Sequence, residues 1–290
     1  MANIDPHFSS VTVLCPLTSN ANSVGAMSGV TVYVYGGSFT NARYKFETGS
    51  YLLPGSTDYI RVDTPAALPA GTEDFTIEGW LNIDSWYNTL NTIANLYQSA
   101  SQGWRLVALA TGQVRIESLD DFQAIYHPAT LTLDTWFHWA VTRDSNGLRC
   151  WIDGVPSNYL ATTASYAPYY LYLGVPGWST GADEVNGYYN ELRVTKGVCR
   201  YSAAFTPPTT IFPRFGAVIE GVVTDENGNP AQRTLRCYIR DTGVLLDSTT
   251  SNAVTGAYAL GVAASGEYQI VAMDDAAGLE LNDLIRRVQV

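Results

Sequence analysis

The sequence predicts an all-β chain built as two β-sandwich domains, and three observations carry that prediction. Apolar residues recur at every second position over short runs, the period that sends alternate side chains to opposite faces of a strand. Those runs are separated by Gly, Pro, Asn, Asp and Ser at the intervals expected of antiparallel strands joined by turns. Over residues 11–62 no helical period competes. The chain of 290 residues is long enough for two cores, and 46% hydrophobic against 15% charged residues is a globular composition.

Taken in order, Val11–Leu14, Val30–Tyr35 and Tyr59–Val62 are short strands between polar turns. Phe75–Ile83 is the clearest strand. Phe75, Ile77, Gly79, Leu81 and Ile83 line one face, Thr76, Glu78, Trp80 and Asn82 the other, and one of the two faces must be core. Thr92–Tyr97, Trp104–Ala110, Gln113–Ser118 and Trp136–Arg143 follow at sandwich spacing. Leu148–Ile152 runs into Asp153-Gly154, a pair that tolerates the positive φ angles of a two-residue hairpin. Leu171–Leu173 is a strand inside a Tyr-rich stretch, with Pro176-Gly177 as the loop after it. Tyr188–Val194 reads as a last strand, with Asn190, Leu192 and Val194 opposing Tyr189, Glu191 and Arg193, and Thr195-Lys196-Gly197 turning it. Val198–Phe205 is a connector, and Pro207, Pro208 and Pro213 end further pairing. Residues 1–213 are therefore one domain. Val218–Thr224, Leu235–Arg240, a hairpin at TGAY and Gly266–Met273 make a second over 214–290, small enough to sit near the lower limit for independent folding.

The string ELRVTKGVCRYSAAFTPPTTIFP at 191–213 resembles the closing signature of the laminin-G-like, concanavalin-A-like jelly-roll domains of phage and bacterial surface proteins. The resemblance recurs in order through DPHFSSVTVL (5–14), YKFETGSYLLPGSTDYIRV (44–62), EDFTIEGWLNI (73–83) and DTWFHWAVTRDSNGLRCWIDG (134–154). It implies a two-sheet jelly roll over residues 1–213. GVVTDENGNPAQ, SNAVTGAYALGV and SGEYQIVAMDD resemble the carboxypeptidase-regulatory-like (transthyretin-like) β-sandwich. The tail from Asp274 to Val290 resembles the ending of phage virion proteins. Together these imply a structural protein of a bacteriophage virion, tail- or capsid-associated and surface-exposed, made in the host cytoplasm.

Sixteen basic against 27 acidic residues give a formal net charge of −11, which repels a phosphate backbone, so nucleic acid is excluded as a partner. The N-terminus has neither a basic n-region nor an apolar h-region, and no stretch reaches the roughly 18 apolar residues of a membrane span, so no membrane insertion is expected. That N-terminus counts against the alternative of a secreted bacterial adhesin. Cys15, Cys150, Cys199 and Cys237 lack metal-type pair spacing and are expected to be reduced and structural.

Enzymatic chemistry finds little to work with. A retaining glycosidase needs two carboxyls about 5–5.5 Å apart, whereas here the acids fall in adjacent pairs, Glu73-Asp74, Asp120-Asp121, Asp183-Glu184 and Asp274-Asp275, whose side chains diverge. His7, His127 and His138 are the only histidines. His138 sits among aromatic neighbours as a structural imidazole, and His127, before Pro128, is a turn residue. No phosphate loop or zinc cluster is present, so no catalytic residue and no cofactor is assigned. The resemblance brings with it a calcium ion on the sandwich rim, held by an early Asp-Gly and an Asp before the ELR. This chain has Pro16-Leu17 and Asn190 there, so no metal is expected.

The remaining signal is aromatic residues at loop and strand-end positions: Trp86, Tyr87, Tyr169, Tyr170 and Trp178. Such rings stack on sugar C–H faces and equally well form protein hot spots. Host-surface glycans, other virion proteins and copies of the chain itself are the partners they suit, and a purely architectural subunit is the rival reading. Trp80, Trp104, Trp136, Trp139 and Trp151, inside strands, are core.

Overall fold

The computed structural model of the protein describes residues 4–18, 30–46, 48–55, 57–179, 181–225, 227–263, 266–273 and 284–290. The chain divides into two compact units, Ser10–Phe212 and a smaller one made of Met1–Ser9 with Pro213–Val290. The N-terminal residues, which the sequence assigns to the first domain, join the second through a parallel bridge from Ile4 to Phe215, with Asp5 N–H donating to the Phe215 carbonyl at 2.9 Å.

In the larger unit the strands are β1 (Val11–Cys15), β2 (Val32–Tyr35), β3 (Ser38–Thr40), β4 (Ser50–Pro54), β5 (Tyr59–Val62), β6 (Phe75–Ser85), β7 (Leu90–Ser99) and β8 (Gln102–Leu109). They continue as β9 (Gln113–Ser118), β10 (Gln123–Thr130), β11 (Trp136–Asp144), β12 (Gly147–Ile152), β13 (Val155–Pro156), β14 (Tyr170–Leu173) and β15 (Asn186–Lys196). Among the described residues they form two antiparallel sheets. One has eight strands in the order β13-β12-β11-β6-β15-β4-β3, with β1 also on β15; the other has seven in the order β10-β9-β8-β7-β14-β5-β2. This is the two-sheet jelly roll. Alternate residues of both sheets meet in one core, where Phe75 stacks on Trp104 at 6.1 Å and the Tyr189 hydroxyl donates to the Ile93 carbonyl at 2.9 Å.

β15 departs from simple alternation. Tyr189, Leu192 and Val194 all enter the core, although the sequence places Tyr189 opposite the other two. The register against β6 shifts between Asn190 and Leu192, and Glu191 takes φ 58° there. One extra residue reverses the phase, so the same strand buries odd positions before it and even ones after it. The strand also runs on to Lys196, past the turn expected at Thr195.

β6 is buried on both faces, not one. Its outer face carries Thr76, Glu78, Trp80 and Asn82; the segment 198–212 lies as a strap across the Thr76–Glu78 end, and Arg43, Lys45 and Phe46 meet Asn82 and Trp80. Thr76 Oγ1 donates to the Val198 carbonyl at 3.0 Å and accepts from Arg200 N–H at 2.9 Å. Tyr201 and Phe205 stack at 3.6 Å and cover Trp151, at 5.9 and 5.5 Å. The expected connector is thus the lid of a second small core. The hairpin at Asp153-Gly154 has both residues at positive φ, 48° and 76°. Gly154 has a further reason to lack a side chain: a Cβ there would sit 1.8 Å from the Phe205 carbonyl oxygen of the strap.

His127 lies in β10 rather than in a turn. Its Nε2 meets the Val155 carbonyl at 2.7 Å and its Nδ1 accepts from Ala129 N–H at 2.9 Å, so it pins an edge of one sheet to an edge of the other. Trp80, Trp104, Trp139 and Trp151 are buried, whereas Trp136, at the head of β11, is half-buried.

The smaller unit is a β-sandwich of its own. β16 (Ala217–Val222) pairs with β19 (Ala257–Val262); β17 (Thr234–Ile239), β18 (Leu245–Thr250), β20 (Glu267–Met273) and β21 (Leu284–Gln289) form a sheet in the order β18-β17-β20-β21. Ile219, Leu235, Cys237, Leu260, Val262, Tyr268 and Ile270 fill its core. All four cysteines of the chain are free thiols, and burial pushes the Cys150 thiol up to about 12.

Candidate functional site

The outer face of the seven-stranded sheet presents the chemistry. Because Val32, Ile60, Val62, Leu171, Leu173, Leu96, Leu106 and Ile116 point into the core, their sequence neighbours Tyr33, Tyr35, Tyr59, Arg61, Tyr170, Tyr172, Tyr97, Arg105, Arg115 and Glu117 point out.

On the β2-β5-β14 side the Arg61 guanidinium sits among four tyrosine rings: Tyr170 at 4.6 Å, Tyr59 and Tyr172 at 5.7 Å, and Tyr33 at 5.9 Å. Tyr35 stacks on Tyr59 at 5.1 Å, and Tyr97 meets Tyr172 edge-on at 5.9 Å. Arg61 holds both carboxylate oxygens of Asp63, a bond that raises the guanidinium's already high pKa. Tyr33 and Tyr35 stay half-exposed, so the ring faces are open.

On the β8-β9-β10 side lies a cleft of about 350 Å³. Arg105 forms its floor, bonded to Glu117 at 2.8 Å and to Asp183 at 2.7 Å. Glu117 also holds Arg115 at 2.5 Å. Trp178 stands over Arg105 at 4.9 Å. It is brought there by the 174–179 loop, which crosses the face: Gly177 N–H donates to Asn95 Oδ1 at 2.8 Å, and a Cβ at Gly177 would lie 2.4 Å from the Tyr97 ring.

The five aromatic residues singled out from sequence therefore fall in three places. Tyr169 and Tyr170 are neighbours, rings 6.4 Å apart, beside the Arg61 cluster. Trp178 is in the cleft. Trp86 packs against the core and Tyr87 lies exposed over Gly55, both in the connection from β6 to β7. Arg61, Tyr33, Tyr35, Tyr59 and Tyr172 were missed, although tyrosines at alternate positions of VYVY and YLYL signal a ring-bearing face. Phe122, in the cleft wall, carries no such signal.

The acidic pairs diverge. Glu73 accepts from Ala70 N–H, Asp120 from Gly103 N–H and Asp121 from the Ser118 hydroxyl; Asp183 is on Arg105 while Glu184 accepts from the Asn88 amide. Asp274-Asp275 lies outside the described residues. His138 is enclosed beneath the strap, its Nε2 3.1 Å from Glu78. Burial alone pushes the Glu78 carboxyl up, but Arg193, His138 and Arg200 outweigh it and hold the group well below the usual carboxylate range.

The rim residues 16, 17 and 190 do not fit a calcium ion. Asn190 Oδ1 accepts from Lys45 and Phe46 N–H, and its Nδ2 donates to the Pro16 carbonyl at 2.9 Å, so a hydrogen-bonded amide occupies the oxygens a cation would need. Among the described residues no group of three or more His, Cys, Asp or Glu is arranged to hold a metal.

Comparison with known proteins gives a fold and a family. The chain resembles sialidase of Trypanosoma rangeli in complex with 2,3-difluorosialic acid at 12% identity and TM-score 0.51, over 64% of this chain and 30% of that one. It thus spans less than a third of the sialidase. A mutant of HCR/D matches at 13% identity and TM-score 0.50, over 98% of this chain and 80% of that one. Domain 4 of the arabinanase AbnA from Geobacillus stearothermophilus, in complex with arabinotriose, matches at 14% identity and TM-score 0.49, over 65% and 93%. No curated protein matches the sequence. A family model covers residues 54–200, half of the chain, and by that match the protein belongs to the laminin-G-like family of the concanavalin A-like lectin/glucanases superfamily.

Proposed function

We propose that the chain is a non-enzymatic structural protein of a bacteriophage virion whose jelly roll contacts glycans on the host surface. One observation carries the contact: a sheet face built from exposed tyrosines, a tryptophan and arginines in which the carboxylates of Asp63, Glu117 and Asp183 are ion-paired. Aromatic faces with planar hydrogen-bonding groups beside them suit sugar rings. Asp63, Glu117 and Asp183 are each engaged by an arginine, Arg61, Arg105 or Arg115, so none stands free to face a glycosidic oxygen, and that supports a binding role over hydrolysis. The phage attribution rests on the likeness of 191–213 and of the tail to phage virion sequences, and the smaller unit, on its likeness to transthyretin-like sandwiches, is the joining module.

The test is binding of the purified chain to host cells. Wild type is expected to bind and to release no reducing sugar from host polysaccharide, and Trp178→Ala with Tyr170→Ala should abolish binding. Turnover of the polysaccharide, or binding indifferent to both substitutions, would remove this reading. The architectural alternative is favoured by the exposure of Tyr33, Tyr35 and Tyr169 on one side of the face. Mass photometry showing a closed oligomer that buries them decides for it.

A further inference from the structure

Phe122 is 85% exposed and takes φ 51°, the left-handed region that an aromatic residue rarely adopts. Nothing in the core repays that strain. The turn is nevertheless fixed: Leu119 N–H donates to the Gly103 carbonyl at 2.9 Å, Gly103 N–H to Asp120 at 2.7 Å, and the Ser118 hydroxyl to Asp121 at 2.7 Å. Two acidic side chains thus brace a turn whose effect is to hold a phenyl ring in solvent, and strain kept by its surroundings marks a functional position. The ring lines the same 350 Å³ cleft as Trp178.

The cleft floor is electrically closed. In the floor Arg105 and Arg115 contribute two positive charges and Glu117 one negative, and Asp183, outside the lining but bonded to Arg105, supplies the second negative charge, the four being joined by bonds of 2.5–2.8 Å. An anionic ligand would have to break a guanidinium away from its carboxylate, whereas a hydroxyl can donate to a carboxylate and accept from a guanidinium without disturbing either. An apolar peptide would leave those polar groups capped by hydrocarbon. Two aromatic walls over a neutral, hydrogen-bonding floor fit a sugar ring.

We infer that the cleft between Phe122 and Trp178 is a subsite for one neutral sugar unit, a hexose or N-acetylhexosamine, with Phe122 as a stacking residue and Arg105, Arg115 and Glu117 bonding its hydroxyls. This rests on the glycan-contact reading and narrows it to one ligand class and one end of the sheet.

The experiment is an array of neutral hexose and N-acetylhexosamine oligosaccharides beside sialylated, uronate and sulfated ones, probed with the full chain and followed by calorimetric titration of the hits. Wild type is expected to bind neutral glycans, with an affinity that changes little between 50 and 500 mM salt. Phe122→Ala and Trp178→Ala should each weaken binding at least tenfold, and Val254→Ala, at an exposed position of the smaller unit, should stay within twofold. Phe122→Gly separates function from folding: it relieves the left-handed strain, so its melting temperature should not fall below wild type while binding is lost. Selective capture of acidic glycans with a steep salt dependence overturns the neutral assignment. Loss of binding in Tyr169→Ala with Phe122→Ala unaffected overturns this subsite and leaves glycan contact standing. Silence on the array and on host cells overturns both.

Discussion

The two outer faces of the jelly roll are built from the same alternating strands and end in opposite states. On the eight-stranded sheet, Glu78, His138, Trp151 and Arg193 point outward and are buried, because residues 198–212 return across them, and Trp80 beside them is covered by Lys45 and Phe46. On the seven-stranded sheet, Tyr33, Tyr35, Tyr59, Arg61 and Tyr170 point outward and remain accessible, and among the described residues the short 174–179 loop is what crosses it. Alternation decides which side chains leave the core, and a segment far away in sequence decides whether they become a second core or a surface. Charge follows the same division. Glu78 is held by Arg193 at 2.8 Å in a closed site, while the Arg105–Glu117–Arg115 chain floors an open cleft.

The contrast can be broken most severely at Glu78. Glu78→Ala removes the buried carboxylate that Arg193 and His138 bond and should cost about 3–5 kcal/mol in urea unfolding. In the wild type the folded carboxyl titrates below its unfolded value, so the stability it contributes is complete above about pH 4.5 and fades as the pH falls further. Next comes Gly154→Ala, which forces a Cβ against the strap backbone in a left-handed turn and should cost about 1–3 kcal/mol, read as a lower urea midpoint at unchanged slope.

His127 gives a smaller, pH-dependent effect. Burial lowers its pKa, with the Val155 carbonyl and Asp153 opposing, so the folded imidazole stays neutral where the unfolded one, near 6.5, already binds a proton. Stability should therefore decline as pH drops through about 6.5. His127→Gln keeps a donor and an acceptor without titrating, and its stability profile should be flatter there. On the open face, Tyr33→Ala should change stability by no more than about 0.5 kcal/mol. Smallest of all, millimolar calcium or EDTA should leave the melting temperature unmoved, given the amide of Asn190 at the rim.

Much of the fold was legible because strands such as Gln113–Ser118 and Tyr59–Val62 announce themselves by local period and flanking turns. What escaped was non-local. The bulge at Glu191 inverts a strand's phase through one left-handed residue, and the strap turns a connector into a cover; neither leaves a periodic trace. β10 was missed because Gln123–Thr130 is an edge strand, mostly exposed, with Pro128 inside it. At the site, Trp178 stood out as a loop tryptophan, but its neighbours Arg105, Arg115 and Glu117 are ordinary strand residues until β8 and β9 set them side by side.

The most direct test of the account is hydrogen–deuterium exchange of the full chain with and without purified host surface polysaccharide. Binding at the open face predicts slowed exchange at residues 113–126 and 170–178, with 198–212 unchanged. Protection confined to 198–212, or to the 86–91 connection, with 113–126 exchanging as in the free protein, would contradict it.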